Sequence, residues 1–253
     1  MKVSSYSDPR YFALITSPVA ECNLEKYYSL AMTDKDKRSI LQGFFGCLVG
    51  TLDYLHSKKV VHQDIKPQNI LVKDNHHVLV TDFGIARSWE GLTRATTTAD
   101  LDRTWLYAAP EVARGGRKNE TADVWSLGCV FLEMCTVLKG RSPADMRAFF
   151  KGRSDSTSFH GNAERGHIAA WVESLREWSP SEPNAALEWV GSMLQVEPLY
   201  RCRSFELLDS IVATSESTGV LFCGPCCRDR GDLTRDSNDE HLDPWSEGDD
   251  DGA

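Results

Sequence analysis

Apolar residues recur at helical spacing along much of the chain, and they predict two long helices. Eight apolar side chains between residues 40 and 55 follow this spacing, which predicts a buried helix from about Ser39 to His56. The strongly apolar segment Ala122–Leu138 predicts a second helix in the centre of a core. Four shorter helices are predicted at Leu24–Leu30, Ile168–Trp178, Ala185–Leu194 and Phe205–Ala213.

Three short apolar runs predict strands. Tyr11–Thr16 stops just before a proline, which cannot donate to a strand ladder. Ile70–Val72 and Val78–Val80 are separated by the turn signal Asp74-Asn75, which predicts a hairpin. The polar segment Arg141–Gly166 predicts no regular element. Because the strands do not alternate with helices, we expect an α+β fold that is mainly α-helical with short β-hairpins.

Length and charge narrow the class of protein. The 253 residues suit one domain with appendages, and 41% hydrophobic residues are enough for a core. Residues 228–253 hold ten Asp/Glu and three Arg, so −7 of the net charge of −9 lies there and we expect that tail to be disordered. The remaining body, near −2, gives no electrostatic reason to expect nucleic acid as a partner. No apolar run reaches the length of a transmembrane helix.

The eight cysteines are expected to be mostly free thiols, because nothing in the sequence indicates secretion. We therefore expect an intracellular protein, cytoplasmic or nuclear. The cluster Cys223-Gly224-Pro225-Cys226-Cys227 has three interpretations. Unliganded thiols in an apolar patch are favoured, while half of a zinc site and reversible palmitoylation are the alternatives.

The residues between His62 and Asp82 carry the chemistry. Asp64, Lys66 and Asn69 lie on a loop between the first long helix and the predicted hairpin, and Asp82 follows the hairpin. Phosphoryl transfer requires a carboxylate to orient the attacking hydroxyl, oxygen ligands for Mg²⁺, and a cation beside the phosphoryl group. These four side chains can fill those roles.

This segment resembles the catalytic loop H-R-D-x-x-x-x-N and the D-F-G motif of eukaryotic-type serine/threonine protein kinases. The resemblance implies that Asp64 is the catalytic base and that Lys66 stabilises the transferring phosphoryl group. It also implies that Asn69 and Asp82 bind Mg²⁺, and that ATP is the second cofactor. Leu71 matches the residue below the adenine ring, and the implied fold is the large lobe of a kinase.

Further motifs follow in the family's order. Ala109-Pro110-Glu111 resembles the A-P-E motif, and Thr104 precedes it at the spacing of the threonine that contacts the base and the lysine. The segment from Asp123 to Gly128 resembles D-x-W-S-x-G, which implies that Asp123 supports the loop at His62. Arg201 matches the arginine that pairs with the A-P-E glutamate, Glu111.

The first residues resemble the strand and hinge that join the two lobes of a kinase. Backbone groups near Ser17 and Val19 would then bind adenine, and Thr16 would be the gatekeeper. We accordingly divide the chain into a strand and hinge (1–24), a kinase large lobe (25–215), and a cysteine cluster with an acidic tail (216–253).

Two departures from the family pattern affect the interpretation. Gln63 replaces the arginine that pairs with a phosphorylated activation loop, so we expect that phosphorylation of Thr93, Thr96, Thr97 and Thr98 is not the main activating event. No glycine precedes Gly43, so we expect no Gly-rich loop before the hinge. Only Lys2 precedes the hinge, and because its surroundings do not resemble V-A-I-K, we expect the strand lysine of the small lobe to be absent as well. We favour a truncated kinase, with weak or no activity in this exact chain.

Three functions are compatible with the motifs. The favoured one is transfer of the ATP γ-phosphoryl group to serine or threonine hydroxyls of a protein substrate. A non-catalytic, pseudokinase-like module that binds proteins is the main alternative, and a regulatory protein partner is also expected. A small-molecule phosphotransferase is disfavoured because Lys66 and the motifs from Ala109 to Asp123 resemble a platform for peptide substrates.

Overall fold

The computed structural model describes residues 2–7, 12–17, 19–73, 77–83, 87–88, 105–178 and 184–224. The predictions for the 74–75 turn, Thr104, the threonines of residues 93–98, Cys226, Cys227 and the acidic tail lie outside these residues. Ten helices are found in the described part of the chain. They are α1 Leu24–Thr33, α2 Lys35–Gln42, α3 Phe44–Ser57, α4 Pro110–Ala113, α5 Glu120–Leu138, α6 Pro143–Lys151, α7 Phe159–Ala163, α8 His167–Trp178, α9 Ala185–Met193 and α10 Ser204–Thr218.

The strands are short and antiparallel. They are β1 Lys2–Ser7, β2 Phe12–Ser17, β3 Cys22–Asn23, β4 Val60–Val61, β5 Ile70–Lys73, β6 His77–Val80 and β7 Arg87–Ser88. β1 pairs with β2, β4 pairs with β7, and β5 lies between β3 and β6 in a three-stranded sheet. The predicted hairpin is therefore β5–β6, in which Ile70 pairs with Val80 and Lys73 with His77. The mainly helical α+β fold with short hairpins is confirmed.

Helix α5 is the centre of the core. Its first turn is capped by the Asn119 side chain, which accepts a hydrogen bond from the Ala122 N–H. Trp125 and Phe131 are completely buried. Helix α9 packs against α5, and α3 packs against α10 and β6. Within the described residues α5 alone has the length and apolar composition of a membrane span, and 83% of that stretch is buried inside the protein, as in a core helix.

The predicted helix from Ser39 to His56 is two helices. The chain leaves α2 at Gly43, whose N–H bonds to the Ile40 carbonyl at 2.9 Å, and α3 begins at Phe44. Glycine weakens a helix because it has more conformational freedom to lose than other residues. The apolar spacing continues across the break, so periodicity alone did not reveal it.

The polar segment for which no element was predicted contains α6 and α7. Helix α6 begins with a capping box, in which Ser142 and Asp145 each bind the other's backbone N–H. Pro143 occupies the first helical position, where its missing N–H costs no hydrogen bond. Capping therefore marks a helix that hydrophobic spacing did not.

The folded lobe extends beyond the boundary that we placed at residue 215. Helix α10 continues to Thr218 and ends at Gly219, which has a left-handed φ of 70°. The following residues return to the core, where Phe222 and Cys223 are buried. The Phe222 carbonyl accepts a hydrogen bond from the Gly46 N–H at 2.8 Å. Cys223 is thus part of the core rather than part of a tail.

Candidate active site

The loop after β4 is fixed to the first turn of α5 by one carboxylate. Asp123 is 1% exposed and accepts hydrogen bonds from the backbone N–H groups of His62 at 2.7 Å and Gln63 at 2.8 Å. His56 Nε2 lies 3.4 Å from the same carboxylate. Backbone donors bound to a buried carboxylate form strong, charge-assisted bonds. Asp123 therefore supports the loop at the place that the sequence indicated.

His62 contacts both loops of the site, the one that carries Asp64 and the one that carries Asp82. Its Nε2 lies 3.0 Å from the Thr81 carbonyl, and its Nδ1 lies 3.3 Å from the Asp64 N–H. A carbonyl only accepts and an N–H only donates, so these contacts assign the neutral tautomer with the proton on Nε2. The ring packs against Phe83 at a centroid distance of 4.8 Å. The buried imidazole thus connects the Asp64 loop to the Asp82 loop.

Asp64, Lys66 and Asn69 form one cluster. Lys66 Nζ lies 2.8 Å from Asp64 Oδ2, and only 6% and 11% of the two side chains are exposed. Asn69 Nδ2 donates to Asp64 Oδ2 at 2.8 Å and to the Asp64 carbonyl at 2.9 Å. A 3₁₀ turn at Pro67–Asn69 brings the amide back to the carboxylate. A carboxylate with two fixed donors is held in one orientation.

Asp82 adopts an uncommon backbone conformation and an exposed position. Its φ is 65°, and Gln63 on the facing loop has a φ of 69°. Left-handed conformations are uncommon outside glycine and often occur at functional sites. Because the Asn69 amide nitrogen donates to Asp64, the side-chain oxygen of Asn69 is the atom that could bind a cation.

The side-chain oxygens of Asn69 and Asp82 are of the type that Mg²⁺ prefers. Among the described residues no group of three His, Cys, Asp or Glu side chains could hold a metal ion by itself. Mg²⁺ on a nucleotide needs only one or two protein ligands, because phosphates and water complete its shell. The donors therefore fit a cation that arrives with phosphates.

Of the residues expected at the nucleotide base, Leu71 and Ser17 lie on two different sheets. Leu71 is half-buried in the central strand β5, where it pairs with Leu79 and Asn23. Ser17 is the last residue of β2, and Val19 beyond it is 85% exposed. Thr16 pairs with Val3 of β1, a strand that the sequence did not predict.

The pair of Glu111 and Arg201 joins α4 to the segment before α10. The Arg201 side chain is completely buried. Two of its nitrogens donate to the Glu111 carboxylate, at 2.6 and 2.7 Å. Its other donors reach backbone carbonyls of Thr121, Gln195 and Val196. All five N–H groups of the guanidinium therefore have acceptors. The expected ion pair is present, and it fixes the A-P-E segment to the core.

A cation lies beside the position where the family arginine is replaced. Lys118 Nζ lies 3.4 Å from the Gln63 carbonyl. Both residues line a cavity of about 120 Å³, which also borders Asp64, Trp105 and Tyr107. No sequence pattern indicated this position of Lys118, because it depends on the path of the loop before α5.

One acidic residue in the core was not identified from the sequence. Glu133 is completely buried in α5, and Tyr107 and Arg147 bind its carboxylate. A single acidic residue within the apolar segment from Val130 to Val137 was a signal that could have revealed it. Thr104, expected beside Asp64, lies outside the described residues.

Comparison with known proteins is consistent with these motifs. A family model described as "Protein kinase domain" matches residues 2–211. Serine/threonine-protein kinase PrkC of Bacillus subtilis is 30% identical over 168 residues, which is 66% of this chain and 24% of PrkC. Serine/threonine-protein kinase RUNKEL of Arabidopsis thaliana is 37% identical over 141 residues, 53% of this chain and 10% of RUNKEL.

MAP kinase kinase MKK1/SSP32 of Saccharomyces cerevisiae is 36% identical over 141 residues, 56% of this chain and 24% of that protein. The chain thus spans a quarter or less of the length of these curated relatives. Their names describe whole proteins, of which this chain matches one part.

Proposed function

The chain belongs to the protein kinase family, and from that premise we propose that it transfers the γ-phosphoryl group of ATP to serine or threonine hydroxyls of a protein. The cluster of Asp64, Lys66 and Asn69 carries this proposal. A largely buried carboxylate with a lysine at 2.8 Å and an amide at 2.8 Å supports both orientation of a hydroxyl and neutralisation of phosphate charge.

In the proposed reaction the substrate hydroxyl oxygen attacks the γ-phosphorus of ATP. The bond from that phosphorus to the β–γ bridging oxygen breaks, and ADP leaves with the electron pair. Asp64 orients the hydroxyl and accepts its proton. Lys66 is beside that carboxylate and stabilises the negative charge of the transferring group. Thr104 is proposed as a further contact to both.

Asn69 and Asp82 are the proposed ligands of Mg²⁺. When bound, Mg²⁺ would neutralise charge on the phosphates. The chain would contribute two oxygen atoms to the metal, one from each residue. His62 contacts both loops that carry these residues, at Asp64 and at Thr81. The backbone of Ser17 and Val19 is the proposed contact for adenine, with Leu71 below the ring. Because ATP and Mg²⁺ are abundant inside cells, we propose an intracellular protein.

The test uses the full-length protein that the gene encodes. It is incubated with γ-labelled ATP, Mg²⁺ and an array of peptides, each paired with a copy in which serine and threonine are alanine. We expect label on serine or threonine that disappears when Mg²⁺ is chelated. Peptide binding without any label would contradict phosphoryl transfer and would support the protein-binding module.

A further inference from the structure

A short basic segment lies on the surface between α4 and α5. Residues 114–118 read Arg-Gly-Gly-Arg-Lys, with three cations and no acidic residue, and all five are exposed. They follow the A-P-E motif and precede the Asn119 cap of α5, whose first turn carries Asp123. The whole protein has a net charge of −9, so this local surplus of positive charge marks a place that attracts anionic groups.

Lys118 is the member of this basic segment that lies beside the proposed catalytic base. Among the described residues it is the one from the segment that lines the cavity of about 120 Å³, whose lining also includes Asp64. Its Nζ lies 3.4 Å from the Gln63 carbonyl. A carbonyl carries no net charge, so this contact orients the ammonium without neutralising it. Arg114 instead binds Glu164 at 2.6 Å.

The two carboxylates in the cavity wall already bind donors of the protein. Asp64 accepts from Lys66 and Asn69, and Asp123 accepts from two backbone N–H groups of the catalytic loop. These contacts compensate their negative charge inside the loop. Lys118 is the one cation among the described residues that line the cavity. An anionic group that enters therefore meets a positive charge at Lys118.

The cavity is open and large enough for a side chain. Its volume of about 120 Å³ is several times what a single water molecule requires. Lys118 is exposed, and 45% of Trp105 is exposed in the same lining, so the cavity reaches the surface. A protein substrate whose hydroxyl reaches Asp64 thus places its neighbouring residues beside this opening.

We propose that Lys118 selects protein substrates that carry an anionic side chain, a carboxylate or a phosphate, close to the hydroxyl that is phosphorylated. This inference rests on the proposed transferase function and adds the class of substrate. Gln63 is uncharged where the resembled motif has arginine, so the positive charge beside this part of the loop comes from Lys118. An ammonium acts as a point charge without a fixed binding geometry, so it accepts either anion.

The test compares peptides that differ in one charge. Each peptide has a single serine, and one glutamate is moved stepwise along both sides of it. A partner peptide has glutamine at the same position. For the full-length protein, kcat/KM should be about two- to tenfold higher for the best glutamate peptide than for its glutamine partner, mainly through KM. The preference should shrink as the salt concentration is raised.

Two variants of Lys118 assign the preference to this residue. Lys118→Met should lower kcat/KM for the glutamate peptide to the value for its glutamine partner. Lys118→Glu should reverse the preference, so that a peptide with lysine at that position becomes the better substrate. Arg117→Met is the matched control, because it removes an exposed neighbouring cation that is not among the described residues of the lining. It should keep the wild-type preference.

Two kinetic results would overturn the proposal. One is an equal kcat/KM for both members of every peptide pair in the wild-type protein. The other is an equal loss for both members in Lys118→Met that phosphatase treatment of the wild-type protein reproduces. In that case the anion beside Lys118 would be a phosphate on the protein itself and not a side chain of the substrate.

Peptide binding without ATP separates this proposal from the proposed function. Fluorescence anisotropy of labelled peptides gives the Kd of each pair for the wild-type protein and for Lys118→Glu. If the wild-type protein transfers no phosphate, the proposed function fails. Tighter binding of the glutamate peptide that is lost in Lys118→Glu would still support Lys118 as the anion-binding residue, whereas equal binding of the two peptides would overturn that assignment.

Discussion

Arg201 binds Glu111 through two hydrogen bonds of 2.6 and 2.7 Å, across 90 residues of sequence. The guanidinium lies 5.0 Å above the Trp125 ring, and its remaining donors meet backbone carbonyls. A planar group with five fixed donors fits such a site, whereas the single ammonium of lysine does not. Arg201 therefore ties the A-P-E segment to the core.

We predict that Arg201→Ala lowers the free energy of unfolding by about 3–5 kcal/mol, because it leaves a largely buried carboxylate without its partner. Urea denaturation followed by circular dichroism measures the change. The control is Arg114→Ala, which breaks a 2.6 Å pair with Glu164 whose side chains are 59% and 37% exposed. That variant should lose less than about 1 kcal/mol. Equal losses in the two variants would show that burial of the Arg201 pair has no special weight.

The residues after α10 should contribute to stability. Phe222 is 1% exposed, and its ring lies 4.9 Å from that of Trp189 and 6.2 Å from that of Phe45. Phe222→Ala should therefore cost about 3–5 kcal/mol. Leu221→Ala, at a neighbour that is 57% exposed, should change stability by no more than about 0.5 kcal/mol. A Phe222 variant as stable as the Leu221 variant would place the end of the folded lobe before residue 220.

Asp82→Asn should remove Mg²⁺-dependent ATP use without unfolding the protein. Asp82 is exposed, and asparagine tolerates the left-handed backbone that this position adopts at φ 65°. The thermal midpoint should therefore stay within about 2 °C of the wild-type value, which corresponds to less than about 1 kcal/mol. ATP turnover across a Mg²⁺ titration is the measurement. Normal turnover in this variant would reject Asp82 as a metal ligand.

Stability should respond to pH through Glu133. Its pKa is about 7 in the folded protein, against an ordinary value of 4.5. The folded state therefore holds this proton more tightly, so the stabilisation is complete below about pH 4.5 and is lost as pH rises through about 7. Relative to Glu133→Gln, the wild-type protein should lose roughly 3 kcal/mol between about pH 4.5 and about pH 8. A difference between the two proteins that does not vary with pH would contradict the raised pKa.

The central helix was the easiest element to derive from the sequence. The predicted helix Ala122–Leu138 begins only two residues after α5 does. The prediction is this close because fifteen positions of α5 are buried, and most of them are apolar. The break at Gly43 was missed because the apolar residues before and after it keep the same helical spacing. Helix α6 was missed because only Met146 and Phe150 are buried in it. In such a helix the capping residues carry the signal and hydrophobicity does not.

The active site could be predicted only in part. Asp64, Lys66 and Asn69 lie within six positions, so their close spacing along the chain indicated a cluster. The pairing of Glu111 with Arg201 followed from family resemblance, since spacing alone does not bring together residues 90 positions apart. The contacts of Glu133 and Lys118 depend on helix packing and on a loop path, and neither is encoded in a local pattern.

The measurement that tests the proposed mechanism most directly is a single-turnover assay of peptide phosphorylation with Asp64→Asn. The asparagine keeps the size of the side chain but cannot accept a proton, so the rate should fall about 10²–10⁴-fold with ATP affinity unchanged. Asp209→Asn, at an exposed position on α10, should keep the wild-type rate. A wild-type rate in Asp64→Asn would contradict the assignment of Asp64 as the base and, with it, the proposed mechanism.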